Sequence, residues 1–135
     1  MSAKIKAQIK SYQDAKKFLG NRKERAIAHN TRIEIGSLNL GHEVITVKYH
    51  GNSIVNLYPD GIVSLNSCGW QTSTTKERLN WFLPYGITLY QHNFRWIVQR
   101  WHWSDEYGRI IDEESLFVDG MAIKAGQIYN APSLQ

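Results

Sequence analysis

The chain has 135 residues, 42% of them hydrophobic, a single cysteine and a formal net charge of +4, enough for one domain with its own core and no disulfide staples. No apolar run approaches the roughly 20 residues of a membrane span, and the charged start Met1–Lys10 lacks the apolar centre of a signal peptide. The lone Cys68 excludes an internal disulfide and a thiolate zinc finger and fits a reducing cytoplasm. Charge is unevenly spread: residues 1–50 carry ten basic and four acidic side chains, a balance of +6, and residues 51–135 six basic and eight acidic, a balance of −2. A basic N-terminal part suits a polyanionic partner, nucleic acid or a phosphorylated small molecule, and is equally the signature of a solvated surface.

Residues 1–10 alternate loosely, which predicts a basic edge strand or a frayed start. Ser11 and Asp14 stand in the relation of a capping box, Ala15, Phe18 and Leu19 share one helical face, and Gly20 closes the helix. The most basic segment, Asn21–Arg32, reads as a loop or a short helical turn before a strand at Thr31–Ile35. A meander follows. Ile45, Val47 and Tyr49 alternate with polar residues, and Gly51-Asn52 marks a tight turn. Val55 and Leu57 point one way and Ile54, Asn56 and Tyr58 the other. Pro59-Asp60-Gly61 is the next turn, and Val63 and Leu65 face the core. Thr74 and Glu77 predict a capped helix whose Leu79, Phe82 and Leu83 pack on the sheet, with Pro84 as its stop. Two further strands, Ile87–Gln91 and Phe94–Trp103, flank His92-Asn93. In the second, Trp96, Val98, Arg100 and His102 share one face and Arg95, Ile97, Gln99, Trp101 and Trp103 the other. Ser104–Arg109 reads as a loop, Asp119-Gly120 as a turn, and residues 125–135 as a weakly structured tail.

The Gly69-Trp70 loop and the helix start after it form the first candidate site. A helix N-terminus favours phosphate. Thr72, Ser73, Thr74 and Thr75 add hydroxyls, Lys76 adds charge, and Trp70 offers a ring on which a base can stack. The same residues also describe a capped helix with a buried tryptophan lid. Arg22, Arg25 and Arg32 are the second candidate, as bidentate phosphate ligands. The interleaved Trp96, Trp101, Trp103, Arg95, Arg100 and His102 suggest either a stacking platform or core and inter-subunit packing. Catalytic and metal patterns are weak. The five histidines are scattered, no H-E-x-x-H or G-x-S-x-G occurs, Cys68 reads as a small core residue, and Asp112-Glu113-Glu114 reads as a solvated run. His50, beside Asn52 and Tyr58, is the one acid–base candidate on a sheet face.

Four stretches resemble a family of short bacteriophage proteins: R-K-E-R-A-I-A-H-N-T (Arg22–Thr31), I-T-V-K-Y-H-G-N-S-I-V (Ile45–Val55), Y-P-D-G-I-V-S-L-N-S (Tyr58–Ser67) and G-W-Q-T-S-T-T-K-E-R-L-N (Gly69–Asn80). F-V-D-G-M (Phe117–Met121) extends the likeness. A glycine often precedes the Gly-Trp pair in that pattern, and here the place is taken by Cys68. The resemblance implies a phage-encoded accessory protein acting in the cytoplasm of an infected bacterium, where small proteins of this size often block host defences. It implies no catalytic residues.

The expected fold is a single α+β domain spanning residues 1–135: an antiparallel meander sheet of about six or seven strands with two short helices, and with residues 1–10 and 125–135 weakly ordered. The leading functional expectation is non-enzymatic binding of a phosphate-bearing ligand, a sequestered nucleotide second messenger, by Trp70, Thr74, Thr75 and Lys76 with Arg22, Arg25 and Arg32 as charge partners. No cofactor or metal is expected. Alternatives are an inhibitor that docks on a host protein through the tryptophan-rich face, and an RNA- or DNA-binding module using the basic segment. Exposed aromatics and strand edges favour a homo-oligomer.

Overall fold

Alternation predicts strands but not their neighbours, and the structure supplies the pairing. The computed structural model describes residues 9–37 and 42–129. Within them lie helix α1 (Tyr12–Leu19), strands β1 (Glu24–Ala28), β2 (Thr31–Ser37), β3 (Glu43–Tyr49), β4 (Asn52–Leu57) and β5 (Val63–Leu65), and helix α2 (Ser73–Trp81). Then follow β6 (Ile87–His92), β7 (Arg95–Ser104), β8 (Gly108–Leu116), β9 (Ala122–Lys124) and β10 (Gln127–Tyr129). One antiparallel sheet has seven strands in the order β1-β2-β3-β4-β5-β9-β10, and a second has three, β6-β7-β8. The α+β antiparallel architecture is therefore as expected, but ten strands in two sheets replace six or seven in one.

The extra strands come from segments read as irregular. The basic stretch is β1, which pairs with β2 through a turn at His29-Asn30, so it is a sheet edge and not a loop or helical turn. Ala125-Gly126 turns the chain back so that Gln127–Tyr129 pairs with β9, where a weak tail was expected. The expected strand over residues 1–10 lies outside the described residues except for Ile9 and Lys10, which lead into α1.

Helix α1 forms as its sequence dictates. The Ser11 hydroxyl accepts from the Asp14 amide, and Gly20, at φ 60°, donates back to the Lys16 carbonyl. At α2 the cap moves. Thr72, not Thr74, is the N-cap, its hydroxyl accepting from the Thr75 amide at 3.1 Å, so the Thr74–Glu77 box does not form. Leu79, Phe82 and Leu83 are buried as expected.

Turns and bulges account for the remaining differences. The β3–β4 turn is His50-Gly51, both at positive φ, and the β6–β7 turn is Asn93-Phe94, also both positive, the pattern of tight hairpins. Phe94 there is 94% exposed. A bulge opposite Val47 and Lys48 adds one residue to β4, so that Ile54 and Val55 are both buried despite being neighbours. A second bulge adds Asp112 to β8 opposite the Arg100–Trp101 step.

One core joins all the layers. Ile33, Ile45, Val47, Leu57 and Leu65 of the large sheet, Leu79 of α2 and Phe82 just after it, and Leu89, Trp96 and Val98 of the small sheet belong to it. Three polar side chains tie the layers at their edges. Arg78, only 8% exposed, gives its Nε–H to the Thr31 hydroxyl at 2.9 Å and an Nη1–H to Glu77 at 2.6 Å. Its guanidinium carbon lies 4.1 Å from the Trp81 ring centre and 5.7 Å from that of Tyr49. Asn80 acts as a short strand against β6, donating to the Leu89 carbonyl at 2.8 Å and accepting from the Leu89 amide at 2.9 Å. The Asp119 carboxylate accepts from both the amide and the hydroxyl of Ser67, at 2.7 and 2.8 Å.

Thr31 is itself buried and donates its hydroxyl to the His29 carbonyl. Thr31→Val keeps the shape but leaves the charged Arg78 Nε–H without its acceptor, so urea unfolding should show a loss of about 1–3 kcal/mol. Unchanged stability would mean that this bond does not tie α2 to the sheet.

Candidate functional site

Four local features converge on one cleft. The end of β3 supplies Tyr49, the tight turn supplies His50, the start of β4 supplies Asn52 and Ile54, and the segment from Ser67 into α2 supplies Trp70, Thr72 and Thr75. Together with Ser67 they line a cavity of about 430 Å³.

The loop that carries Trp70 is held from within. Cys68 and Gly69 both take positive φ, 54° and 81°, which glycine tolerates freely and cysteine does not. The Asn66 side chain accepts from the Cys68 amide at 2.7 Å, the Ser67 hydroxyl accepts from the Gly69 amide at 3.3 Å, and the Trp70 amide donates to the Ser67 carbonyl at 2.9 Å. These amides are thus spent inside the loop rather than presented to an anion. The indole of Trp70 is left 64% exposed, so it is not a buried lid.

The lining is aromatic and hydroxylic. Tyr49 and His50 meet edge to face, with ring centres 4.4 Å apart. The Thr72 and Thr75 hydroxyls lie 2.9 Å from each other. His50 supplies the one imidazole among the lining residues. A flat ring suits such a cleft better than a naked phosphate. His50 also borders a second cleft of about 470 Å³, formed by Ala26, Ala28, Asn30, Thr31, Arg32 and Gly51. It thus separates an aromatic cleft from one that holds a guanidinium.

The expected site residues are only partly brought together. Trp70 and Thr75 line the first cleft. Thr74 is exposed and Lys76 half-buried one turn into α2, and neither is among its lining residues. Arg32 lines the second cleft, with its Nη2 2.6 Å from the Glu24 carboxylate. Arg25 is committed elsewhere: it donates to the Phe18 carbonyl at 2.9 Å, and its guanidinium carbon lies 4.4 Å from the Phe18 ring centre. Arg22 is exposed and borders neither cleft. Of the trio His50, Asn52 and Tyr58, the first two share the cleft, while Tyr58 lines a separate groove with Asn56, Ile62, Ser64 and Leu65. Tyr49, Ile54 and Ser67 are the lining residues that sequence reasoning did not single out. Only the β3–β4 and β4–β5 pairings reveal them.

The aromatic run divides by face. Trp96 is buried, and Trp101 is half-buried with its Nε1–H donated to Thr88 at 3.1 Å. Trp103 is 60% exposed. On the face of β7 that carries Arg100 and His102, the Asp112 bulge sets a carboxylate 2.8 Å from the His102 Nδ1 and 3.7 Å from the Arg100 Nη1. Among the described residues no three His, Cys, Asp or Glu side chains converge as metal ligands do, and no helix is long and apolar enough to cross a membrane.

The profile of the Kyanoviridae Gp96 protein family matches residues 5–124. The chain belongs to that family. It is a bacteriophage family, which accords with the phage resemblance carried by the Gly-Trp and meander stretches. No curated protein and no solved structure matches the chain.

Cys68 is half-buried beside the cleft and points its thiol at the Ser53 carbonyl, 3.2 Å away. Burial, with the Asp119 charge adding to it, pushes that thiol above its ordinary pKa. The thiolate is the reactive form, so alkylation by iodoacetamide near neutral pH should be slower than that of a free cysteine, and its pH midpoint should be displaced upward. A midpoint below that of a free cysteine would mark an activated thiol and contradict this placement.

Proposed function

We propose that this phage protein binds a ring-bearing phosphorylated ligand, a nucleotide, without altering it, and that in the infected cell it sequesters a signalling nucleotide of a bacterial defence. The observation that carries the reading is Trp70: a large indole held in solvent by a loop whose own amides are satisfied, over a cleft walled by Tyr49 and His50. Exposed aromatics on a fixed backbone are what stacking sites use, because every base has a π-face. In this reading the base enters between Trp70 and Tyr49, and the Asn52 carboxamide and Thr72 hydroxyl meet its edge. The phosphate lies toward His50 and, beyond it, Arg32, the one expected arginine that lines an adjoining cleft. Arg32 reaches the phosphate by exchanging Glu24, a swap between two exposed partners that costs little.

Titration calorimetry with mono-, di- and cyclic nucleotides tests this. Trp70→Ala should weaken the binding of the best ligand roughly five- to a hundredfold, the worth of one base–aromatic stack, while the melting temperature stays nearly unchanged because the indole is mostly in solvent. Arg32→Ala should weaken a phosphorylated ligand and leave the bare nucleoside unaffected. Equal affinity in Trp70→Ala, or no nucleotide bound by the wild-type chain, would refute the reading.

A further inference from the structure

The small sheet has a solvent face that mixes large apolar side chains with polar ones. Cross-strand pairing places Ile97 opposite Leu116, Gln99 opposite Glu114, Trp101 opposite Ile111 and Trp103 opposite Arg109. The other face holds Trp96 and Val98 and enters the core. An antiparallel sheet with one face in water normally turns polar residues outward. Here Trp103, Ile111 and Leu116 are exposed, and Tyr85, also exposed, extends the patch by meeting Trp101 edge-on at 5.0 Å. Large apolar side chains left in water on both sides of the Gln99–Glu114 pair mark an association site.

We propose that this face is the interface of a two-fold homodimer, with the small sheets of two copies packed face to face. The argument is charge complementarity. The Asp112 bulge makes Glu114, not Glu113, the next residue after Ile111 on the outer face. Arg109 and Glu114 therefore stand one step on either side of Ile111. A two-fold axis beside Ile111 and across the strands sets Ile111 against its copy and each Arg109 against the Glu114 of the other chain. Within its own chain Arg109 lies on the Trp101 ring, 3.9 Å from the ring centre, and Glu114 accepts from Gln99 at 3.1 Å. Among the described residues neither has an opposite charge within ion-pair distance, and the second copy supplies one to each. Sheets packed in this way lie about 10 Å apart with their inner side chains interleaved, which accommodates the protruding Trp103. The edge of β8 is a poorer route to self-association, since its central bulge and the acidic run 112–114 are the features that discourage edge-to-edge pairing.

Sedimentation equilibrium over a range of concentrations tests the interface. The wild-type chain should approach twice the mass of one chain. Arg109→Glu and Glu114→Arg should each weaken association by about tenfold or more, and the double reversal Arg109→Glu/Glu114→Arg should recover most of the loss, because close interfacial charge pairs couple at that level. Ile111→Glu should give a monomer that keeps its far-ultraviolet circular dichroism. A wild-type chain that stays monomeric at every concentration overturns the proposal, even if the face then captures another protein. A dimer indifferent to Ile111→Glu, or to the charge reversals, places the interface elsewhere and overturns it too. None of these outcomes depends on the Trp70 cleft.

Discussion

A single buried guanidinium decides how α2 meets the large sheet. Arg78 is almost wholly withdrawn from water, and a buried cation is tolerated only when hydrogen bonds and a counter-charge replace its hydration. Thr31 in β2 takes the Nε–H, Glu77 at the surface takes an Nη1–H, and the Trp81 and Tyr49 rings flank the plane. A lysine has neither the flat plane nor the forked donors for this. The consequences reach the cleft directly. Tyr49 is both a neighbour of Arg78 and the back wall of the cavity. The helix whose second turn carries Arg78 has in its first turn the Thr75 that lines the same cavity. Fixing one end of α2 against Thr31 therefore fixes the distance between Tyr49 and the Trp70 loop.

The elements whose local chemistry is self-sufficient were legible from the residues. Ser11 and Gly20 delimit α1 with no help from the rest of the chain. The Pro59-Asp60-Gly61 turn closes on itself, with the Asp60 carboxylate taking the Ile62 amide. The helix ending before Pro84 needed only its apolar spacing. Where several residues fit one role, the sequence could not choose. Four consecutive hydroxyls, from Thr72 to Thr75, are all eligible caps, and burial of Thr75 selects Thr72. Bulges leave no local trace either, since Ile54 and Val55 break the alternation only because β3 opposes them with one residue fewer. The division into two sheets is likewise a property of pairing, which alternation along one strand does not encode.

The candidate site shows the same division. Trp70 stood out because a ring beside a helix N-terminus can stack on a base, and only its exposure in the structure separates that use from a buried lid. Tyr49, His50 and Asn52 come from a turn some twenty residues earlier, joined to it through the β4–β5 ladder and the bond from the Asn66 amide to the Ile54 carbonyl. The arginines misled because charge counting ignores what each side chain already holds. The last turn of α1 claims Arg25 through the Phe18 carbonyl, and β1–β2 pairing sets Arg32 beside Glu24. The two faces of β7 were separable by alternation, but only the core reveals that the outward one carries Trp101 and Trp103.

The central claim is that the Trp70 cleft holds a nucleotide and returns it unchanged. The most direct measurement is mass spectrometry of the small molecules released by heat from the protein purified out of bacteria with an active nucleotide-signalling defence. The account predicts a chemically intact nucleotide close to one per cleft, lost in Trp70→Ala protein prepared in the same way. A converted nucleotide would make the protein an enzyme, and a folded protein carrying no nucleotide would contradict the account outright.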